Sequence, residues 1–185
     1  MDDELDSLAR AAQDGDSGAL EELLARIRPT VLARCAKFLP HHHDAEEAAQ
    51  DALLTISTKL DQWSGSGSFI GWAIVVTSNT ARSTYRSMRR QAAVTGVEAP
   101  EAADPRTTSV IAGTRLDLME ALEGLEEQHP AVVQSFVLRD LGSLPYDEIA
   151  ELTGVPVGTA KARIHHARRF MRDRLRVGDD TEQSR

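Results

Sequence analysis

The side chains in this sequence best equipped for chemistry are cations and small polar groups rather than nucleophiles. Between Val157 and Arg176 the chain carries Thr159, Lys161, Arg163, His165, His166, Arg168, Arg169 and Arg172 around an apolar repeat of Val157, Ala160, Ile164, Ala167, Met171 and Leu175. On a helix that repeat turns inward and the polar set covers the remaining faces, able to contact phosphates and the guanine edge in a major groove. No Ser-His-Asp or paired-carboxylate set is legible, and Gly65-x-Gly67 is too short for a nucleotide-binding fingerprint. We therefore expect no intrinsic catalysis and no cofactor. His41-His42-His43 beside Asp44 raises a metal reading, but consecutive histidines point different ways on a turn, and an exposed connector is expected instead.

The elements that must position the basic helix lie just before it. Tyr146 to Thr153 is a short helix, Gly154-Val155-Pro156 a tight turn, and Val157 to about Arg176 a long helix. Ala150 is small enough for two helices to cross closely, Gly154 permits a positive backbone angle, and Pro156 can open a helix without losing an internal hydrogen bond. The pattern is helix-turn-helix. Upstream, Leu116, Met119, Leu122 and Leu125 repeat at helical spacing, and a helix after Pro130 carries Val132, Val133, Phe136, Val137 and Leu141 before Gly142 ends it.

In the first half, Glu4 to Lys37 predicts two helices broken at Asp14 to Gly18, the second capped near Asp16 or Ser17, with Pro29 bending it or starting a new segment. Asp44 is expected to cap a helix running to about Leu60 with an acidic first turn. After the loop Asp61 to Ser68, the positions Phe69, Trp72, Ala73, Val76 and Thr80 line one face of a helix to about Arg90. Residues 91–113 change to Ala, Thr, Glu and Pro without periodicity, the signature of a linker. The expected fold is all-α: residues 1–92 form one small helical domain, 93–113 a linker, 114–177 a second domain and 178–185 a disordered tail.

Composition agrees. The 185 residues are 41% hydrophobic and 4% aromatic, with a formal charge of -8, which favours helices and argues against indiscriminate coating of nucleic acid. The charge is uneven, with acids concentrated from Asp2 to Asp51 and basic islands at Arg82 to Arg90 and Lys161 to Arg176, so binding should be selective or partner-dependent. Cys35 is the single cysteine, excluding an internal disulfide and fitting a reducing cytoplasm. The acidic start and the lack of an apolar run of about 18 residues predict no signal peptide and no membrane insertion.

Tyr146-Asp147-Glu148-Ile149-Ala150, Val155-Pro156-Val157-Gly158-Thr159 and Lys161-Ala162-Arg163 resemble region 4 of the extracytoplasmic-function sigma factors, in the sigma-70 family. The resemblance implies minus-35 promoter contacts at Arg139, Tyr146, Thr159, Lys161, Arg163 and His166, with Arg168 and Arg169 on phosphates. The family pattern has valine at Ala160, serine at Ala162 and arginine at His166, departures that bear on base preference and helix packing. Asp44-Ala45-Glu46-Glu47-Ala48-Ala49-Gln50-Asp51 resembles the region 2 helix that docks on core RNA polymerase, implying Asp44, Glu47, Gln50 and Asp51 as docking residues.

Trp63 to Trp72 and Asn79 to Arg82 resemble the loop and helix that open the minus-10 element. An extruded base needs a small-residue loop, an amide for its edge and cations for flanking phosphates, roles that Ser64, Ser66, Asn79, Arg82 and Arg86 can fill. Phe69 and Trp72 are read as core. Here the family has arginine at Ser78 and an acidic residue near Thr84. The partners implied are core RNA polymerase, promoter DNA and an anti-sigma factor that would cover both basic faces. Two rivals follow from the residues alone: a stand-alone helix-turn-helix regulator, and a helical adaptor whose basic helices bind an acidic protein.

Overall fold

The computed structural model of the chain describes residues 2–95 and 109–182, and every regular element among them is helical. The contacts divide the chain into two units, Met1–Glu101 and Ala102–Arg185.

In the first unit, α1 (Asp2–Gln13) and α2 (Ser17–Phe38) are separated by the turn predicted at Gly15, whose φ is 98°. Asp16 caps α2 by accepting from the Ala19 N–H at 3.0 Å. Ala19, Leu23, Ile27, Val31 and Cys35 recur every four residues on α2 and are buried, which makes α2 the strut against which α1, α3 and α4 pack. Pro29 does not start a new segment, since α2 is continuous from Ser17 to Phe38. It lies on the exposed face, where the carbonyl it leaves unbonded can be solvated.

Helix α3 (His42–Thr58) buries Ala45, Ala48, Ala49, Ala52 and Ile56, a small-residue face that permits close approach. Its N-cap is His41, not Asp44, which sits inside the first turn. A 3-10 turn (Leu60–Gln62) and a loop lead into α4 (Phe69–Thr95), which runs past Arg90. The buried positions of α4 include Phe69, Gly71, Ala73, Ile74, Thr77, Ser78, Ala81, Arg82 and Tyr85. Trp72, Val76 and Thr80, expected on this face, are only half-buried because the inward stripe follows the four-residue spacing from Phe69.

In the second unit, α5 (Ser109–Gln128) begins inside the expected linker, whose residues 96–108 lie outside those described. Met119, Leu122 and Leu125 are buried; the side chain of Leu116 lies outside the described residues. Pro130 opens α6 (Pro130–Phe136), which does not continue as one regular helix but passes into a π-helical turn (Val137–Leu141). Leu141, read as core, is half-buried. Helices α7 (Tyr146–Thr153) and α8 (Val157–Glu182) complete the unit, with α8 packed on α5, α6 and α7 through Ala160, Ile164, Ala167 and Met171. Val157 is 40% exposed rather than inward; it is the first residue of α8, and the buried repeat begins one turn later at Ala160. The helix runs to Glu182, through Gly178 and beyond the end expected near Arg176. Nothing there removes a backbone donor, and a glycine costs only about 1 kcal/mol. Residues 183–185 of the expected tail lie outside those described.

Candidate nucleic-acid interface

Three surfaces carry the side chains singled out from the sequence. On α3, Glu47, Gln50 and Asp51 are exposed, and their three-and-four spacing puts them on one face. Leu54, 64% exposed, extends the same face by one turn and was missed, because an apolar residue in a helix reads first as core. Asp44 is different: it is half-buried, and its Oδ2 is buried without a hydrogen-bond partner.

The second surface is the loop between the 3-10 turn and α4. Gly65 and Gly67 adopt φ of 77° and 71°, conformations that side chains rarely take. Ser64 and Ser66 are exposed at its tip, and Asn79 is exposed on α4. The loop closes onto α4 through Ser68, whose Oγ accepts from the Gly71 N–H at 3.0 Å. Beneath it Trp63, 2% exposed, meets Phe69 edge-to-face at 5.6 Å between ring centroids. Arg86 is half-buried. Arg82, expected beside Asn79 on the surface, is 7% exposed; its position falls on the inward stripe of α4, so the fold takes its guanidinium inside. Ser78 is buried as well, and Thr84 is half-buried.

The third surface is the helix-turn-helix. Gly154 takes φ 64°, ψ 33°, and α7 ends with Val155 N–H donating to Ala150 O at 2.9 Å and Gly154 N–H to Glu151 O at 3.2 Å, a left-handed helix stop that aims α8 across α7. Thr159, Lys161, His166, Arg169 and Arg172 are exposed along α8, and Arg163 is half-buried. Two cations lie over the ring of Tyr146, the Arg139 guanidinium 4.5 Å and the Lys161 ammonium 5.4 Å from its centroid.

Two predicted DNA contacts are already engaged within the unit. Arg139 donates to the Leu144 carbonyl at 2.7 Å, bracing the segment between the π-helical turn and α7. Arg168 grips Asp140, its Nη2 2.7 Å from Oδ1 and its Nε 3.1 Å from both carboxylate oxygens. These hydrogen bonds push the Arg168 guanidinium further above its ordinary range. His166 meets His129 edge-on at 4.6 Å, a contact across the unit that sequence spacing does not reveal. Among the described residues no cluster of three or more His, Cys, Asp or Glu is placed to hold a metal ion, and no helix is long and apolar enough to cross a membrane.

Comparison with known proteins places both units. The family model for sigma-70 region 2 matches residues 23–91, and that for sigma-70 region 4 matches residues 115–171. The ECF RNA polymerase sigma factor SigE of Mycolicibacterium smegmatis is 30% identical over 179 residues, covering 92% of this chain and 68% of that protein. The ECF RNA polymerase sigma-E factor of Escherichia coli is 27% identical over 173 residues, covering 87% and 88%. Two solved structures share the fold. CnrH in complex with the cytosolic domain of CnrY has a TM-score of 0.58 at 20% identity, over 94% of this chain and 98% of that one. The sigma factor RpoE in complex with the anti-sigma factor NepR from Bartonella quintana has a TM-score of 0.51 at 23% identity, over 85% and 96%. With region 2 and region 4 matched in order, and a relative of this identity and coverage, the chain belongs to the sigma-70 family of RNA polymerase sigma factors, in its extracytoplasmic-function group.

Proposed function

We propose that this chain binds core RNA polymerase and directs it to specific promoters, its first unit engaging polymerase and the minus-10 element and its second reading the minus-35 element. The observation that carries this reading is the order of the two matched regions in one chain, each with its own exposed polar surface. The acidic face of α3 suits a basic partner: Glu47, Gln50 and Asp51 give orientation and rapid association, and Asp44 completes the set at its half-buried edge. Ser64, Ser66, Asn79 and Arg86 receive the opened minus-10 strand, while buried Arg82 supports α4 from within. Thr159, Lys161, Arg163, His166 and Arg169 face the minus-35 major groove, with Arg139 and Tyr146 backing Lys161.

Polymerase makes the RNA, the chain itself contributes no catalysis, and the work is done in the cytoplasm. An anti-sigma partner covering the basic surfaces belongs to the same reading, supported by the complex in which the Bartonella quintana relative was solved. A stand-alone regulator leaves the region 2 match without a purpose.

The test is promoter-specific transcription by core polymerase supplied with the purified chain on a genomic template library, alongside Asn79→Ala and Lys161→Ala/Arg163→Ala. Discrete start sites are expected with the native chain. Loss of base-edge contacts worth about 1–3 kcal/mol each should lower their use at least tenfold in the double variant. Absence of both transcripts and polymerase association, from a folded preparation, refutes the proposal.

A further inference from the structure

The loop after the 3-10 turn is held at both ends by side chains from a distant part of the sequence. Its entry is fixed by Gln13, the last residue of α1, whose Nε2 donates to the Leu60 carbonyl at 2.7 Å and to the Trp63 carbonyl at 2.9 Å. Its exit is fixed by Asp6 on the same helix, whose Oδ1 accepts from the Phe69 N–H at 2.8 Å. Between them Arg10 lies with its guanidinium 5.9 Å from the centre of the Trp63 ring, and its Nη2 stands 4.0 Å from where a methyl on Gly65 would sit. Asp6, Arg10 and Gln13 are spaced four and three residues apart, so a single face of α1 spans the base of the loop.

We propose that α1 is the positioning element of the minus-10 loop, Gln13 and Asp6 acting as paired tethers that fix both ends of Trp63–Phe69 before DNA arrives. The inference rests on the reading that this loop receives the opened strand. A segment with two glycines at positive φ loses much conformational freedom when it binds, and tethers that order it beforehand remove that cost from the opening step. Gln13 is suited to this because its amide offers two N–H donors; glutamate of the same shape would set a carboxylate against two carbonyl oxygens. Asp6 needs only to accept, so asparagine can replace it.

The test uses the full chain with core polymerase and a promoter mapped as above, comparing Gln13→Glu, Asp6→Ala and Asp6→Asn with the native chain. Three quantities are measured: affinity for core polymerase, transcripts from the fully paired promoter, and transcripts from the same promoter mismatched across the minus-10 element. Gln13→Glu and Asp6→Ala are expected to bind polymerase within twofold of native and to lose at least tenfold on paired DNA. On pre-opened DNA the loss should be threefold or less, and Asp6→Asn should restore paired-template activity to within twofold. A parallel fall in polymerase affinity and in transcription from both templates would reduce α1 to ordinary structure and overturn the proposal. So would native activity of Gln13→Glu on paired DNA while Ser64→Ala or Asn79→Ala is impaired. If none of these loop variants matters, the assignment of the loop itself fails, and the tethers with it.

Discussion

The bidentate grip of Arg168 on Asp140 makes a sharp prediction about DNA affinity. Arg168 cannot lose its proton, so its availability to a phosphate is set by the carboxylate it already holds. Replacing Asp140 by asparagine keeps the shape, removes one negative charge and frees one cation. The pair is partly exposed, 45% for Arg168 and 26% for Asp140, so its contribution to folding is about 0–1 kcal/mol and the unit should remain intact. A unit charge against a phosphate about 4 Å away in water is worth about 1 kcal/mol, or roughly fivefold in affinity. Each phosphate contact also steepens the salt dependence by about 0.9 in log–log slope, so a fourfold rise in salt weakens the added contact by a further factor of about 3.5.

The assay is fluorescence anisotropy of a labelled random-sequence duplex titrated with the full chain between about 50 and 200 mM salt, since a phosphate contact needs no particular sequence. Asp140→Asn should bind about fivefold tighter at the lower salt with a slope steeper by about one, and adding Arg168→Ala should return both to native values. Arg168→Ala alone should change the native chain little. If Arg168→Ala alone lowers the native slope by one, and Asp140→Asn leaves it unchanged, then Arg168 contacts phosphate while still bound to Asp140 and the reasoning is refuted.

The two glycines flanking the turn should respond oppositely. Gly154→Ala meets no atom within 4 Å but is forced to φ 64°, costing about 1–2 kcal/mol, whereas Gly158→Ala in open space on α8 should gain about 0.5–1 kcal/mol; the melting temperature of the full chain should fall and rise accordingly. Gly142→Ala should destabilise more than Gly154→Ala, because its methyl would overlap the backbone carbonyl of Leu138, and denaturant midpoints will rank the two. Burial pushes the Cys35 thiol up to about 11, so it should resist a thiol-modifying reagent at pH 8 until the chain is unfolded. Because its folded value lies above the unfolded one near 9, its contribution to stability is complete below pH 9 and is lost as pH rises toward 11, which chemical denaturation across that window will detect.

What the sequence disclosed and what it hid divide by range. The helix-turn-helix is local chemistry: Gly154 and Pro156 declare the turn, and Ala150 and Ala160, only 7% and 0% exposed, occupy the crossing. Asp16 likewise announces its cap three residues ahead of the donor it serves. The tethers of the loop were illegible because Asp6 and Phe69 lie 63 residues apart, and Gln13 lies 47 and 50 residues from its acceptors. Helical periodicity shows which face of α1 is apolar; it does not show which loop the polar face will meet. The burial of Arg82 was hidden for a related reason. A cation is expected outside, and only the arrival of neighbouring helices at the Phe69 stripe turns it inward. The π-helical turn left no periodic trace, since the adjacent apolar pair Val137 and Leu138, both buried, carries no spacing that distinguishes a regular turn from a widened one; Gly142 marks the crowding that ends it.

These internal engagements bear on why such a chain should need polymerase to find DNA. Arg139 is committed to Leu144 O and to the Tyr146 ring, Lys161 shares that ring, and Arg168 is held by Asp140. Each bond orders the recognition surface and subtracts from the cations free to condense on phosphate, while the whole chain carries a charge of -8. Long-range attraction to DNA is therefore weak, and screening beyond about 8–10 Å leaves only contacts made at the groove itself. A surface built this way gains little from arbitrary duplex and depends on being delivered to its site. In the function proposed above, docking of the first unit on a polymerase that itself holds DNA supplies that delivery, because the second unit then searches at the effective concentration set by its connection to the first. On that reading, selectivity at promoters follows from the same restraint on free charge that is expected to make the isolated chain a poor DNA binder.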